Sequence, residues 1–283
     1  MYRFDHAIIV VSDLQEAADG YRRLGFTVTP GGVHAGGRSH NALVILEDGT
    51  YFELFALTDP VLTGRLRTAR AIGELTMLID QQTAIDQRFF ASVACGDGLA
   101  DFAVVTGAMD EDVERLRGAG LVVDDPLANG RQRPDGAEIR WRLAITRLPL
   151  PFLIQDDTPR SLRVPEGDVA FHQNGAKKLL GMVVAVSDVA GAGRGYSALL
   201  GPGRADQTVV EGAGRTLDFD LSGVTITLAE PDGPASPLRE HMAQRGEGPY
   251  RLSLFTEFVS EDGPLFTEET YGARIVLVSD AHH

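Results

Sequence analysis

The sequence predicts an α+β fold made of tandem β-α-β-β-β units, paired into two domains with cupped mixed sheets. Three observations point there. The stretch FDHAIIVVSDL at residues 4–14 returns as GMVVAVSDV at 181–189, so that Ser12-Asp13 matches Ser187-Asp188 175 residues on. Gly20-Tyr21 and Leu24 match Gly195-Tyr196 and Leu199 at the same offset. A repeat of this length means copies of one supersecondary unit. Short apolar runs of strand length also alternate with single amphipathic helices. Finally, Asp48-Gly49 and Ser222-Gly223 each sit between two such runs, as in tight hairpins. Hairpins alternating with single helices fit sheets with helices on one face. The expected domains span residues 1–165 and 179–280, with a linker at 166–178.

The first unit opens with a strand at 6–11. Ser12 or Asp13 caps a helix in which Leu14, Ala17, Ala18, Tyr21 and Leu24 recur at helical spacing, and Gly25 ends it. A second strand is expected at 26–29, then a glycine-rich loop over 30–38. Strands at 40–46 and 51–57 form the hairpin. Residues 59–98 read as helices at 66–80 and 81–89 that cover or connect units.

The second unit has strands at 101–105, 121–124, 138–145 and 151–155. Its helix at 110–118 carries acids early and Arg115 and Arg117 late, as the helix dipole favours. The third has a strand at 180–186, a helix at 188–200 weakened by Gly191, Gly193 and Gly195, and a hairpin at 216–220 and 224–229. The fourth shows clear end strands at 250–257 and 274–278.

Composition narrows the function classes. The chain has 283 residues, 43% hydrophobic, and a net charge of −14. So acidic a protein lacks the positive surface that a phosphate backbone requires, which argues against a nucleic-acid partner. The charge is spread along the chain, as on an ordinary solvated surface. Cys95 is the single cysteine, so no intrachain disulfide forms; this fits a reducing compartment, and the residue reads as a small buried hydrophobe. No apolar run approaches 18 residues and no leader precedes the first strand, so the expected location is cytoplasmic, with no membrane partner. His282 and His283 follow Ala281 as a tag remnant would and are set aside.

Alternate residues of a strand share a face. His6, Ile8 and Val10 form one such face, His40, Ala42 and Val44 a second, and Tyr51, Glu53 and Phe55 a third. A carboxylate in the apolar run 51–57 must be paired, hydrogen-bonded or on a metal. One or two histidines plus a carboxylate is the donor set of non-haem Fe, Mn, Ni and Zn sites. The plain alternatives are a core histidine at His6, an ion pair of Glu53 with an arginine, an exposed His40, and a turn-forming His172. A second constellation gathers Arg131, Arg133, Arg140, Trp141 and Arg142. Arg140 and Arg142 share one face and Trp141 takes the other. An arginine here could clamp a carboxylate or enolate oxygen; alternatively Trp141 is core and the arginines pair with surface acids.

In DHAIIVVSDL, HNALVILEDGTYFELFA (40–56), GRQRPDGAEIRWRL (130–143), PFLIQDDTPR (151–160) and HQNGA (172–176), the chain resembles the glyoxalase-like family of the vicinal oxygen chelate superfamily. The resemblance covers about the first two thirds of the chain. It implies a cupped sheet from two units and a divalent metal (Fe, Mn, Ni or Zn) held by first-strand and fourth-strand residues. His6 and Glu53 fall on those positions in unit one, and His40, Asp101 or His172 would supply a third donor. Arg131, Arg140, Arg142, Trp141 and His172 become candidate substrate contacts. Unit two departs from the pattern, offering Asp101 or Phe102 and then PFLIQ. Unit three has Gly181 and Thr227 in place of His6 and Glu53, so the second domain reads as a degenerate copy. The implied activity is metal-dependent lyase or isomerase chemistry through an enolate, with Glu53 also moving a proton, or ring-cleaving dioxygenase chemistry, on a small oxygen-rich or aromatic molecule. The alternative is a metal-free, drug-sequestering binder. Superfamily members often dimerise, so a homodimer is expected.

Overall fold

A computed structural model describes residues 2–279; the expected tag remnant Ala281, His282 and His283 lies outside them. The first unit runs β1 (Arg3–Val10), α1 (Leu14–Arg23), β2 (Thr29–His34), β3 (Ser39–Ile45) and β4 (Tyr51–Leu57). Three helices follow: α2 (Pro60–Ala71), α3 (Leu75–Ile79) and α4 (Ala84–Ala94). The second unit is β5 (Gly98–Val105), α5 (Met109–Gly118), β6 (Leu127–Gln132), β7 (Glu138–Ala144) and β8 (Phe152–Asp156), and a one-turn helix α6 (Arg160–Arg163) succeeds it. The remainder comprises β9 (Ala176–Ala185), α7 (Val189–Leu200), β10 (Arg204–Ala205), β11 (Ala213–Leu221), β12 (Val224–Pro231), α8 (Pro237–Arg245), β13 (Gly248–Thr256), β14 (Gly263–Pro264) and β15 (Ile275–Val278).

Caps explain the helix starts. Asp13 accepts from the Glu16 N–H and Asp188 from the Ala190 N–H, so the repeated Ser-Asp pair does the same work twice. Asp59 and Thr83 cap α2 and α4.

Units one and two close into an eight-stranded barrel in the order β1-β4-β3-β2-β6-β7-β8-β5. The later strands form an open seven-stranded sheet, β10-β11-β12-β9-β13-β15-β14. Matched through the repeat, β10, β11, β12 and β9 stand where β2, β3, β4 and β1 stand in the barrel. In the last unit only a 3-10 turn at Val259–Glu261 lies between β13 and β14, and β14 and β15 have two and four residues. β10 and β14 stand at opposite edges of the sheet, so this second cup is open.

Closure of the barrel depends on glycine. β2 pairs with β6 through Val33 with Gln132 and His34 with Arg131. A Cβ on Gly32, which has φ +138, would overlap the Gln132 carbonyl oxygen, and one on Gly130 would overlap that of Ile139. This is also why both second strands lie later than the sequence predicts. The expected strands at 26–29 and 121–124 are loops apart from Thr29, which opens β2, and a bridge at Val123. The real strands occupy glycine-bearing stretches that strand propensity disfavours.

The two sheets share one core. Phe4, Ala7 and Ile9 on the outer face of β1 pack in one cluster with Val184, Leu252 and Leu254 of the second sheet. Residues 166–178, read from sequence as a linker, contain the buried His172 and Asn174 and the first residues of β9. A second cluster fills part of the barrel interior: Ile8 and Val10 meet Phe55, Trp141 and Phe152, and Leu66, Ile85 and Phe90 from α2 and α4 plug that end. Among the described residues no helix is long and apolar enough to cross a membrane.

Candidate active site

Between the helical plug and the far end of the barrel lies a cavity of about 220 Å³. Its wall is aromatic, with Tyr51, Phe55, Phe89, Phe90, Trp141 and Phe152, and its polar side is built from His6, His34, Asn41, Glu53, Arg131 and Arg163.

A bulge in β1 places the first polar pair. Phe4 pairs with Val104 and His6 with Ala103, so Asp5 is the unpaired extra residue. Bulges re-aim side chains. Here Asp5 and His6, which would otherwise face opposite ways, bond to each other, with His6 Nδ1 2.7 Å from Asp5 Oδ2. Tyr51 stacks on the imidazole at 4.7 Å between ring centroids, and Phe152 meets it edge-on. His6 Nε2 is left facing Glu53 Oε2 at 3.5 Å.

Asp5 is fully buried and heavily compensated. Arg163 bonds it from Nη1 to Oδ2 at 2.7 Å, Arg160 bonds its other oxygen, and Arg163 Nη1 also donates to the Tyr51 hydroxyl at 2.7 Å. Arg163 is paired in turn with Asp156. Burial alone would push the Asp5 carboxyl up; Arg163, the His6 bond and Arg160 together hold it well below the usual carboxylate range. Burial pushes the Tyr51 phenol up despite Arg163 beside it.

Glu53 is bracketed from its other side. Asn41 Nδ2 donates to Oε1 at 2.8 Å, and His34 Nε2 lies 3.5 Å from the same oxygen. Burial holds His34 below its ordinary value although Glu53 pulls the other way. Its Nδ1 meets the Ser39 hydroxyl at 2.9 Å. Arg131 reaches Asn41 Oδ1 at 3.5 Å and donates from Nη2 to the Arg163 carbonyl at 2.6 Å.

Of the residues singled out from sequence, His6, Glu53, Arg131 and Trp141 line this cavity together. His40 does not: β3 alternation puts it with Ala42 and Val44 on the outer face, and Asn41 takes the inward place beside Glu53. His172 does not line the cavity: its Nδ1 accepts from the Thr27 N–H and its Nε2 bonds the Ile45 carbonyl, both at 2.9 Å. Asp101 is locked in a bidentate pair with Arg88, at 2.5 and 2.6 Å. Arg142 points outward to Asp110 and Asp157. Arg140 shares that outer face of β7, opposite Trp141, and its backbone carbonyl accepts from the Asp157 N–H.

Sequence reasoning missed Asp5, His34, Asn41 and Arg163. Alternation hid Asp5, because a bulge breaks the two-residue period. His34 sits on the glycine-bearing β2 that was read as a loop. The run DDTPRSLR carried a usable signal for Arg163: two acids followed within seven residues by two arginines.

A three-donor metal site does not assemble. Unit two lines the interior with Ala103, Phe152 and Ile154, none of them a donor. His6 and His34 approach different oxygens of Glu53, and the Asn41 amide already occupies Oε1. Among the described residues no three His, Cys, Asp or Glu side chains are grouped to hold an ion. His6 Nε2 and His34 Nε2 thus stand on opposite sides of Glu53, each 3.5 Å from its own oxygen, and as placed the three are not gathered around one point as the donors of a catalytic ion are.

Comparison with known proteins places the fold. A family model described as a glyoxalase-like domain matches residues 4–200. A hypothetical protein from Staphylococcus aureus is similar over 98% of this chain and 100% of its own, with 13% identity and a TM-score of 0.71. A variant of 4-hydroxymandelate synthase from Streptomyces coelicolor is similar over 91% of this chain and 72% of its own, with 14% identity and a TM-score of 0.55. A fusion of a xylose isomerase-like TIM barrel with 4-hydroxyphenylpyruvate dioxygenase matches over 91% of this chain and 37% of its own, at 14% identity and a TM-score of 0.51. At such identities these likenesses speak to the fold alone. No curated protein sequence matches the chain. With the family model covering most of its length and the paired β-α-β-β-β units in place, the chain belongs to the glyoxalase-like domain family.

Proposed function

We propose that the barrel cavity is the active site of a proton-transfer enzyme, of isomerase or lyase type, acting on a small apolar molecule that carries a carbonyl. The observation that carries this reading is the Asp5–His6 pair. Asp5 fixes the ring and tautomer through Nδ1, leaving Nε2 to face the cavity. A base oriented in this way by a buried carboxylate is the standard arrangement for moving protons. A carboxylate behind a histidine also orients metal ligands, but His6, His34 and Glu53 are not grouped to hold one ion.

In the proposed step, His6 Nε2 takes a proton from the carbon beside the carbonyl. The C–H electron pair becomes the enolate π bond, and negative charge moves to the oxygen. Return of the proton to a different face or atom gives an isomer; departure of a β-substituent gives a lyase product. Glu53, 3.5 Å from His6 Nε2, is placed to accept or return a proton as the second acid–base group. The aromatic wall excludes water from the intermediate and strengthens every charge interaction inside.

The test is deuterium exchange. The protein is incubated in heavy water with a panel of small aryl ketones and keto acids, and loss of the α-proton signal is followed by NMR. Exchange catalysed by wild type and reduced roughly 100-fold or more in His6→Gln, the usual worth of a general base, supports the reading, given an unchanged circular dichroism spectrum. Ligands that bind without exchange, or exchange indifferent to His6→Gln, overturn it; the first outcome would leave a sequestering protein.

A further inference from the structure

The cavity holds a buried guanidinium that lacks a counter-ion. Arg88 and Arg163 are the other deeply buried arginines of the barrel, and each is clasped by carboxylates: Arg88 by Asp101, Arg163 by Asp5 and Asp156. Arg131 is 5% exposed and lines the cavity, yet among the described residues it forms no ion pair within 4.0 Å. Its contacts are two neutral oxygens, Asn41 Oδ1 at 3.5 Å and the Arg163 carbonyl at 2.6 Å, and its Nε has no partner. A buried charge without a partner is costly, and proteins tolerate one where a ligand supplies the missing charge.

Resting on the proposed use of this cavity, we infer that its ligand is an aromatic monocarboxylate, the carboxylate seated on Arg131 and the ring in the box of Phe55, Phe89, Trp141 and Phe152. Arginine suits this task because its planar fork matches a carboxylate edge. The aromatic residues contact one another and line the cavity as a continuous apolar wall. Phe55 lies on Phe89 at 4.8 Å, and Phe89 meets Phe152 edge-on at 6.2 Å. The volume of about 220 Å³ suits a single ring with a short acidic arm, below the usual drug-sized pocket of about 300–1,000 Å³.

Calorimetry with phenylacetate and its neutral isostere phenylacetamide tests the inference on wild type, Arg131→Gln, Arg131→Lys and His6→Gln. Wild type binds phenylacetate about 10–100-fold tighter than the amide, the worth of hydrogen bonds to a charged group. Arg131→Gln brings the ratio to about one while amide binding persists, which shows that the pocket survives. Arg131→Lys retains part of the preference, and His6→Gln keeps an acid preference of at least tenfold, so failure of the proton-transfer reading and failure of this one are separable. Equal affinity of wild type for acid and amide, no binding of either, or an acid preference that survives Arg131→Gln would overturn the inference.

Discussion

Arg163 Nη1 donates to Asp5 Oδ2 at 2.7 Å across 158 residues of sequence. That bond ties the one-turn helix after β8 to the bulge in β1. Asp5 is 0% exposed and Arg163 1%, so neither charge has water to fall back on. Breaking a buried pair from one side costs about 3–5 kcal/mol. Arg163→Met therefore destabilises the protein by roughly that amount in urea denaturation, and releases the His6 ring as well. A loss below about 1 kcal/mol would mean that the ion cluster is not the structural floor of the site.

The same cluster sets an acid limit. The Asp5 carboxyl is held well below the ordinary range in the fold. An unfolded Asp takes up its proton near pH 3.9, while the folded one still resists. The unfolded state then binds more protons, so the contribution of Asp5 is full above about pH 4 and is lost as pH falls through the lower folded value. The urea midpoint of wild type should drop steeply below about pH 4, and that of Asp5→Asn, already lower, should drop less.

His241 makes a second, separate pH term. It is buried in the C-terminal part of the chain, and burial, with Arg274 and Arg245 nearby, lowers it to about 4. Unfolded histidine titrates near 6.5. Stability from the neutral folded ring is complete above about pH 6.5 and declines as pH falls through about 4. The magnitude is about 3 kcal/mol at most, at 1.36 kcal/mol for each pH unit between the two values. Stability curves of His241→Gln should be flatter than wild type between these limits; parallel curves would show that His241 ionises freely in the fold.

Gly31 supports Glu53 at one remove. A Cβ there would overlap Asn41 Oδ1, whereas nothing lies within 4 Å of a Cβ on Gly107. Gly31→Ala should displace Asn41, strip Glu53 Oε1 of its 2.8 Å donor, and cost about 1–3 kcal/mol as an overpacking change. It should also lower exchange activity more than it lowers stability would suggest, whereas Gly107→Ala should leave activity unchanged. Equal activity in both variants would remove Asn41 from the site.

How much of this could be read in the sequence follows from the same residues. Strands with clean alternation, such as β1 beyond its bulge, β3 and β4, announced both their existence and their faces, and so His6 and Glu53 were found. The face assigned to His40 was read correctly as that of Ala42 and Val44, but which face turns inward depends on pairing with β4 and β2, which no local pattern encodes. β2 and β6 were displaced because their glycines serve barrel closure, a tertiary demand that overrides strand propensity. Asp5 was invisible because its orientation arises from a one-residue register shift against β5. Arg131 was found as one of five neighbouring candidates; only the folded barrel separates it, buried and unpaired, from Arg140 and Arg142 on the outer face.

The central claim is that Asp5, His6 and Glu53 form an acid–base site complete without an ion. The most direct measurement is metal content, by elemental analysis, of wild type and Glu53→Ala purified without chelator and again after incubation with Fe(II), Mn(II), Ni(II) or Zn(II), alongside the exchange rate with and without EDTA. The expected result is far less than one equivalent of any metal in both proteins and an exchange rate that EDTA does not change. Close to one equivalent in wild type, lost in Glu53→Ala together with activity, would contradict it and make Glu53 a metal ligand.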